Sequence, residues 1–213
     1  MSILALETKL RKKGYKVIVG LDEVGRGGLS GPVTAAAVTV QRFSIFNPQF
    51  SKELKDSKKL SPKKRKEIFE MLRNLPKVKW GIGRVSEKVI DKINILQATK
   101  LAMERAVKKL KVKNGKLKID FLIIDGNFEI DSDIPQKSIV KGDEKVFLIK
   151  LASIVAKVTR DRAMLRYHKK YPKYRFDKHK GYGTKLHFKM LKKYGPCKIH
   201  RKSFNPMKKY CKI

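Results

Sequence analysis

Asp22 and Glu23 close the apolar run VIVGL (17–21), Asp125 closes FLII (121–124) and Asp143 follows SIVKG (138–142), so three strand-like segments each end on a carboxylate. The placement is informative because acids are scarce. Across 213 residues, 19 Asp and Glu stand against 53 Lys and Arg, a formal net charge of +34. Carboxylates gathered at the C-terminal edge of an α/β sheet repel one another unless a cation neutralises them, and hard oxygen donors suit Mg²⁺ or Mn²⁺ rather than zinc. On a strongly basic protein this points to metal-assisted phosphodiester chemistry, with two metal ions clamping the attacking and leaving oxygens.

Each position also has a plainer use. An Asp before glycine, as in Asp125-Gly126, is a common turn former. Adjacent residues of a regular strand face opposite ways, so Asp22 and Glu23 can serve one site only where the strand is already breaking. Gly25, Gly27 and Gly28 make that break plausible. Asp161 follows Lys157 by four residues on a helical stretch and reads as half of a surface pair, while Glu129, Asp131 and Asp133 fall in a loop. These acids stay outside the primary site. No Ser-His-Asp or Cys-His arrangement stands out, and His168, His179, His187 and His200 are assigned surface or groove positions in the basic C-terminal part. Cys197 and Cys211, with His200 as their nearby imidazole, make neither a disulfide framework nor a closed zinc site.

The elements that must position the acids follow from periodicity. A short amphipathic helix carries Ile3, Leu6 and Leu10 and stops at Gly14. Strands over VIVGLDEVG and VTAAAVTV flank a glycine-rich link and suggest a hairpin. Residues 41–60 are a polar connection, after which Ser61-Pro62 opens a helix to about Leu75. A strand over 78–85 precedes a long helix capped by Ser86, with Val89, Ile93, Leu96, Leu101, Ala102, Ala106 and Leu110 on its apolar face. Strands over 118–125 and SIVKGD and a helix over 144–168 complete the pattern β-β-α-β-α-β-β-α, which fits one α/β domain on a mixed sheet. Residues 169–213 hold 16 Lys and Arg and the single acid Asp177, and form a basic, mainly helical tail.

The segments LDEVGRGGLSGPVTAAAV, DSKKLSP, LIIDGN, VKGDEKVFLIKLASIVAKVTRDRAM, HKGYGT and HRKSF, in this order and spacing, resemble ribonuclease HII over residues 17 to 206. The resemblance implies a ribonuclease H-like fold, a mixed sheet flanked by helices with a mainly helical basic C-terminal part. It makes 1–213 one catalytic domain, with about 169–213 as a substrate-binding subregion. It also implies metal-binding catalytic residues at Asp22, Glu23, Asp125 and Asp143, a substrate-contacting loop at Gly25, Arg26 and Gly27, a sugar-sensing tyrosine at Tyr182, and a groove segment at Ser57, Lys58 and Lys59. Proteins similar to this one hydrolyse the RNA strand of RNA/DNA hybrids. They also cut duplex DNA on the 5′ side of an embedded ribonucleotide, leaving 3′-hydroxyl and 5′-phosphate ends, with Mg²⁺ or Mn²⁺ at two positions. Gly28 departs from the family, where Pro often follows the Gly-Arg-Gly loop, and this departure is expected to loosen the loop.

The resemblance extends to a role in ribonucleotide excision repair and DNA replication. Ribonuclease HIII shares the Asp-Glu pair but carries an extra N-terminal domain, for which the 21 residues before Asp22 leave no room. A non-enzymatic basic nucleic-acid binder would match the charge, but has no reason to place four acids at strand ends. No run approaches the roughly 20 apolar residues of a membrane span, and no secretory segment is visible, so a cytoplasmic monomer is expected. The C-terminal NPMKKYCKI lacks a convincing Gln-led aromatic motif of the kind that binds a sliding clamp.

Overall fold

The computed structural model describes residues 4–41, 43, 50, 54, 60–115 and 117–210. After helix α1 (Ala5–Lys12), strands β1 (Ile18–Val24) and β2 (Val33–Val40) pair antiparallel, with Gly20 opposite Val38 and Val24 opposite Thr34. This is the predicted hairpin. Helix α2 (Pro62–Asn74) starts where Ser61 accepts a hydrogen bond from the Lys64 N–H at 3.2 Å. Then follow β3 (Val78–Val85), α3 (Glu87–Lys113), β4 (Phe121–Asp125), β5 (Gln136–Ile139), the one-turn helix α4 (Gly142–Lys145) and the long helix α5 (Phe147–Lys170). The C-terminal part contains α6 (Phe176–His179), α7 (Lys185–Tyr194) and α8 (Asn205–Lys208).

The sheet order is β3-β2-β1-β4-β5, with β1, β4 and β5 parallel and the other two strands antiparallel to their neighbours. Helix α3 covers one face and α5 the other, which is why β1 and β2 are apolar almost without alternation. Close approach requires small residues here. A Cβ at Gly83 would overlap Ala102 O of α3, and one at Gly20 would overlap the Leu148 backbone of α5. Val19, Leu21, Ala102, Met103 and Leu110 fill one layer, and Ile123, Phe147, Leu148 and Leu151 the other. Each such Leu, Ile or Phe contributes about 1.5–3 kcal/mol by leaving water.

Three sequence expectations are corrected. Asp143 does not end a strand, because β5 stops at Ile139 and Lys141 takes a left-handed turn (φ 55°) into α4, with α5 starting only at Phe147. Within α3, Asn94 adopts φ 65° and its Oδ1 accepts from the N–H groups of Leu96 and Gln97, capping a second helical segment. The rotation that follows turns Leu96 outward (38% exposed) and buries Ala98, Ala102, Met103 and Ala106. Ser86 precedes the helix but makes no side-chain cap. Among the described residues no helix is long and apolar enough to cross a membrane.

Candidate active site

The three parallel strands deliver the acids to one edge. Leu21 pairs with Ile124 and Asp125 with Ile139, so the ends of β1, β4 and β5 lie side by side, and α4 carries Asp143 back beside Asp125. Asp22 is buried, hydrogen-bonds Ser153 of α5 and meets the Asp125 carboxylate. Glu23 lines the cleft although β1 does not break before it: the strand stays paired with β2 through Val24, and only its pairing with β4 stops at Leu21, which leaves that side of the edge open. The cleft, about 390 Å³, is walled by Glu23, Asp143, Ser153, Arg65, Lys157 and Tyr182. Sequence reasoning therefore named four acids and a tyrosine that the fold assembles. It treated Lys157 only as the partner of Asp161, which it is at 2.9 Å, and missed that the ammonium also stands 5.5 Å from the Tyr182 ring centre.

The electrostatics mark this edge as unrelieved. Burial pushes the Asp22 carboxyl well above the usual range, and the charges of Glu23 and Asp125 push the same way. Glu23 is raised by burial and by Asp125, against the pull of Arg26, whose guanidinium lies 3.4 Å away. Asp125 is raised by burial and by Asp143, although the Gly142 N–H donates to its Oδ1 at 2.6 Å. Glu23 Oε2 is buried and has no hydrogen-bond partner. An unpartnered buried carboxylate oxygen beside mutually repelling acids is a donor set that fits a hard divalent cation. In this arrangement no three His, Cys, Asp or Glu side chains among the described residues close on one point. Two of the carboxylate oxygens are held by backbone N–H groups: Asp125 Oδ1 by Gly142, and Asp22 Oδ1 by the Glu23 N–H, each at 2.6 Å.

The glycine-rich link (25–32) borders the cleft and is held by two fully buried arginines. Arg160 of α5 donates from Nε to Pro32 O (3.0 Å), from Nη1 to Lys180 O (2.9 Å) and from Nη2 to Ser30 O (3.2 Å). Arg201 donates from Nε and Nη2 to Gly31 O (3.0 and 2.9 Å) and from Nη1 to Arg26 O (2.9 Å). Burial, and then the charge of Arg160, pushes the Arg201 guanidinium down to about 9, so it stays charged at neutral pH. Gly25 takes φ 94°, and a Cβ there would overlap the Arg160 side chain. Gly28 is not a loose point: its N–H donates to Gly25 O, and it bridges to Tyr182. Tyr182 is half-buried, with Arg160 5.1 Å from its ring centre.

The histidine expectation fails for three residues. His179, His187 and His200 are buried in a cluster with Tyr174 and Phe176. His187 stacks on His179 at 4.2 Å and its Nε2 lies 3.0 Å from that of His200. Their spacing beside Phe176, Leu191 and Ile199 was the available signal of a core role. Arg160 and Arg201 were likewise unassigned, and an arginine in a helix whose neighbours are Val158, Ala163 and Met164 was the hint. Ser57, Lys58, Lys59 and Cys211 lie outside the described residues.

The ribonuclease HII family profile matches residues 19–207. The chain belongs to the ribonuclease HII family. It is 44% identical over 213 residues to ribonuclease HII of Chlamydia pneumoniae, covering 100% of this chain and 94% of the relative. To that of Chlamydia caviae it is 48% identical over 208 residues, covering 98% and 93%. The crystal structure of ribonuclease H2 from Pyrococcus horikoshii superposes with a TM-score of 0.66 at 25% identity, over 91% of this chain and 96% of that one. Members of the ribonuclease HII family are ribonuclease H endonucleases, and the five-stranded mixed sheet between helices is the ribonuclease H-like fold.

Proposed function

We propose that this chain hydrolyses the RNA strand of RNA/DNA hybrids and cuts duplex DNA on the 5′ side of an embedded ribonucleotide, leaving 3′-hydroxyl and 5′-phosphate ends. The observation that carries the reading is the edge formed by Asp22, Glu23, Asp125 and Asp143, with an unpartnered buried oxygen on Glu23. These four residues hold Mg²⁺ or Mn²⁺, two ions per site. When bound, the ions supply Lewis-acid charge at the scissile phosphate and a more acidic water.

The chain's own residues supply recognition and placement. Only the 2′-hydroxyl distinguishes a ribonucleotide sugar, so the protein must bring backbone close to it. Gly25 and Gly27 permit that approach, while Arg160 and Arg201 keep the loop in place. Tyr182 packs against the sugar from across the cleft. Lys157 and Arg65 face the carboxylates and attract the phosphate, with Arg26, Ser57, Lys58 and Lys59 as further phosphate contacts. Residues 169–213 act as the substrate-binding part of a single catalytic unit, a cytoplasmic monomer serving ribonucleotide excision repair and replication.

The test is cleavage of end-labelled duplexes carrying one ribonucleotide, a continuous RNA strand or DNA alone, with Mg²⁺ or Mn²⁺. A single cut 5′ of the ribonucleotide, absent from all-DNA, is expected. If only the continuous hybrid is cut, the roles given to Gly25, Gly27 and Tyr182 are wrong. If nothing is cut while duplex binding persists, the chain is a binder.

A further inference from the structure

A second cleft, about 700 Å³, runs along the outer edge of β3 where α3 lies against it. Its walls are Arg84 on the strand and Arg105, Lys108, Lys109 and Val112 on the helix, over a floor of Ile82 and Gly83. None of these lining residues is acidic. Of the three acids of α3, Asp91 accepts from Lys202 and Ser203, Glu104 accepts from the Asp131 N–H, and Glu87 is buried at the start of the helix. The cations here are also arranged rather than scattered. Arg105 Nη1 donates to Arg84 O at 2.7 Å, which fixes its guanidinium across the strand edge. Arg84 is pushed below the usual guanidinium range by burial and by the charge of Arg166, so this corner gathers like charges.

The cleft is connected to the catalytic edge through the sheet and through α5. Val24, Thr34 and Arg84 form one row across three strands, so Arg84 stands two strand spacings, about 10 Å, from the residue after Glu23. Helix α5 passes Ser153 at the carboxylates and, about 20 Å further along its axis, brings Arg166 beside Arg84. That length corresponds to about 6 base pairs of duplex.

We propose that this β3–α3 cleft is a phosphate-binding track for the flank of the duplex whose reacting strand lies at the carboxylate edge, with Arg84, Arg105, Lys108 and Lys109 contacting the backbone. It rests on the nuclease reading above for the identity of the substrate. The occupant is nucleic acid because the groove offers closely spaced cations, one of them held across the strand edge, and no acid. Duplex presents a dense line of negative charge, about one per 1.7 Å of axis with both strands counted, and is the polyanion that such a row attracts.

The experiment compares the full-length protein with a triple variant, Arg105→Gln, Lys108→Gln and Lys109→Gln, and with a charge-matched control, Lys9→Gln, Lys12→Gln and Lys13→Gln on exposed positions of and just after α1. Binding of an all-DNA duplex is read by fluorescence anisotropy as a function of salt, so the result does not depend on cleavage. The cleft variant should flatten the slope of log affinity against log salt by about 3, against little change in the control. Its affinity at physiological salt should fall on the order of 10-fold or more. On cleavable duplexes the loss should fall on KM and shrink when one flank is cut below about 5 base pairs. A slope equal to that of the control, or a KM defect independent of flank length, overturns the track. Failure of the unmodified protein to cut any ribonucleotide-containing duplex would instead overturn the nuclease reading, with the anisotropy result still deciding the cleft.

Discussion

Charge is buried in two places in this protein, and the two are treated in opposite ways. At the C-terminal edge of β1, β4 and β5, carboxylates crowd together, raise one another's proton affinity and leave Glu23 Oε2 without a partner. Around residues 25–32, Arg160 and Arg201 are fully buried, yet each donates from all three guanidinium nitrogens to backbone carbonyls, and the neighbouring histidines stay neutral. Desolvation costs several kcal/mol per ion in both regions, and only the second recovers it within the chain. The first region is open to a ligand, and the second is a clamp that fixes where that ligand's substrate can lie.

The largest expected effect separates the two roles. Asp125→Asn removes one member of the repelling set, so cleavage should fall on the order of 10³-fold while unfolding free energy holds or rises by about 1 kcal/mol. Cleavage kinetics and urea unfolding of one preparation check both halves. The clamp should behave in the reverse sense. Arg201→Met strands the carbonyls of Gly31 and Arg26 and should cost about 3–5 kcal/mol, with Arg201→Lys restoring little because an ammonium cannot reproduce the fork.

A pH titration sharpens the contrast further. Burial lowers His187 to about 3 and His200 to about 4, well below the ordinary imidazole value. Both are therefore neutral when folded and take up protons on unfolding. Their contribution is complete above about pH 6.5 and declines as pH falls toward 4, by about 1.4 kcal/mol per pH unit for each imidazole. Urea unfolding between pH 7 and 4.5 should show that slope, and His187→Phe should flatten it. A still smaller effect is expected at the rim, where Lys157 and Asp161 form a part-exposed pair. Asp161→Ala should change stability by less than about 1 kcal/mol in thermal melts.

Much of this was legible in the sequence. The β1–β2 hairpin followed from two apolar runs around glycines, and the carboxylate edge from Asp22, Asp125 and Asp143 standing where an apolar pattern stops. Asp143 was placed on the right segment with the wrong local geometry, because a left-handed Lys141 is not a recognisable turn former. Leu96 was misassigned since one capping asparagine reset the helical phase. The clamp was largely illegible. Arg160 and Arg201 read as two more cations among 53, and only the tertiary fold brings carbonyls from residues 26–32 and 180 onto them. The buried histidines read as surface or groove residues for the same reason, as their partners come from separate turns of a short-element tail.

The open oxygens of the carboxylate edge, and not the saturated clamp, are expected to take the catalytic cation. Calorimetric titration of Mn²⁺ into the wild-type protein, Asp125→Asn and His187→Phe, without nucleic acid, tests it most directly. Binding is expected for the wild type and for His187→Phe, with at least about 10-fold weaker binding by Asp125→Asn. Equal Mn²⁺ affinity in wild type and Asp125→Asn would contradict it.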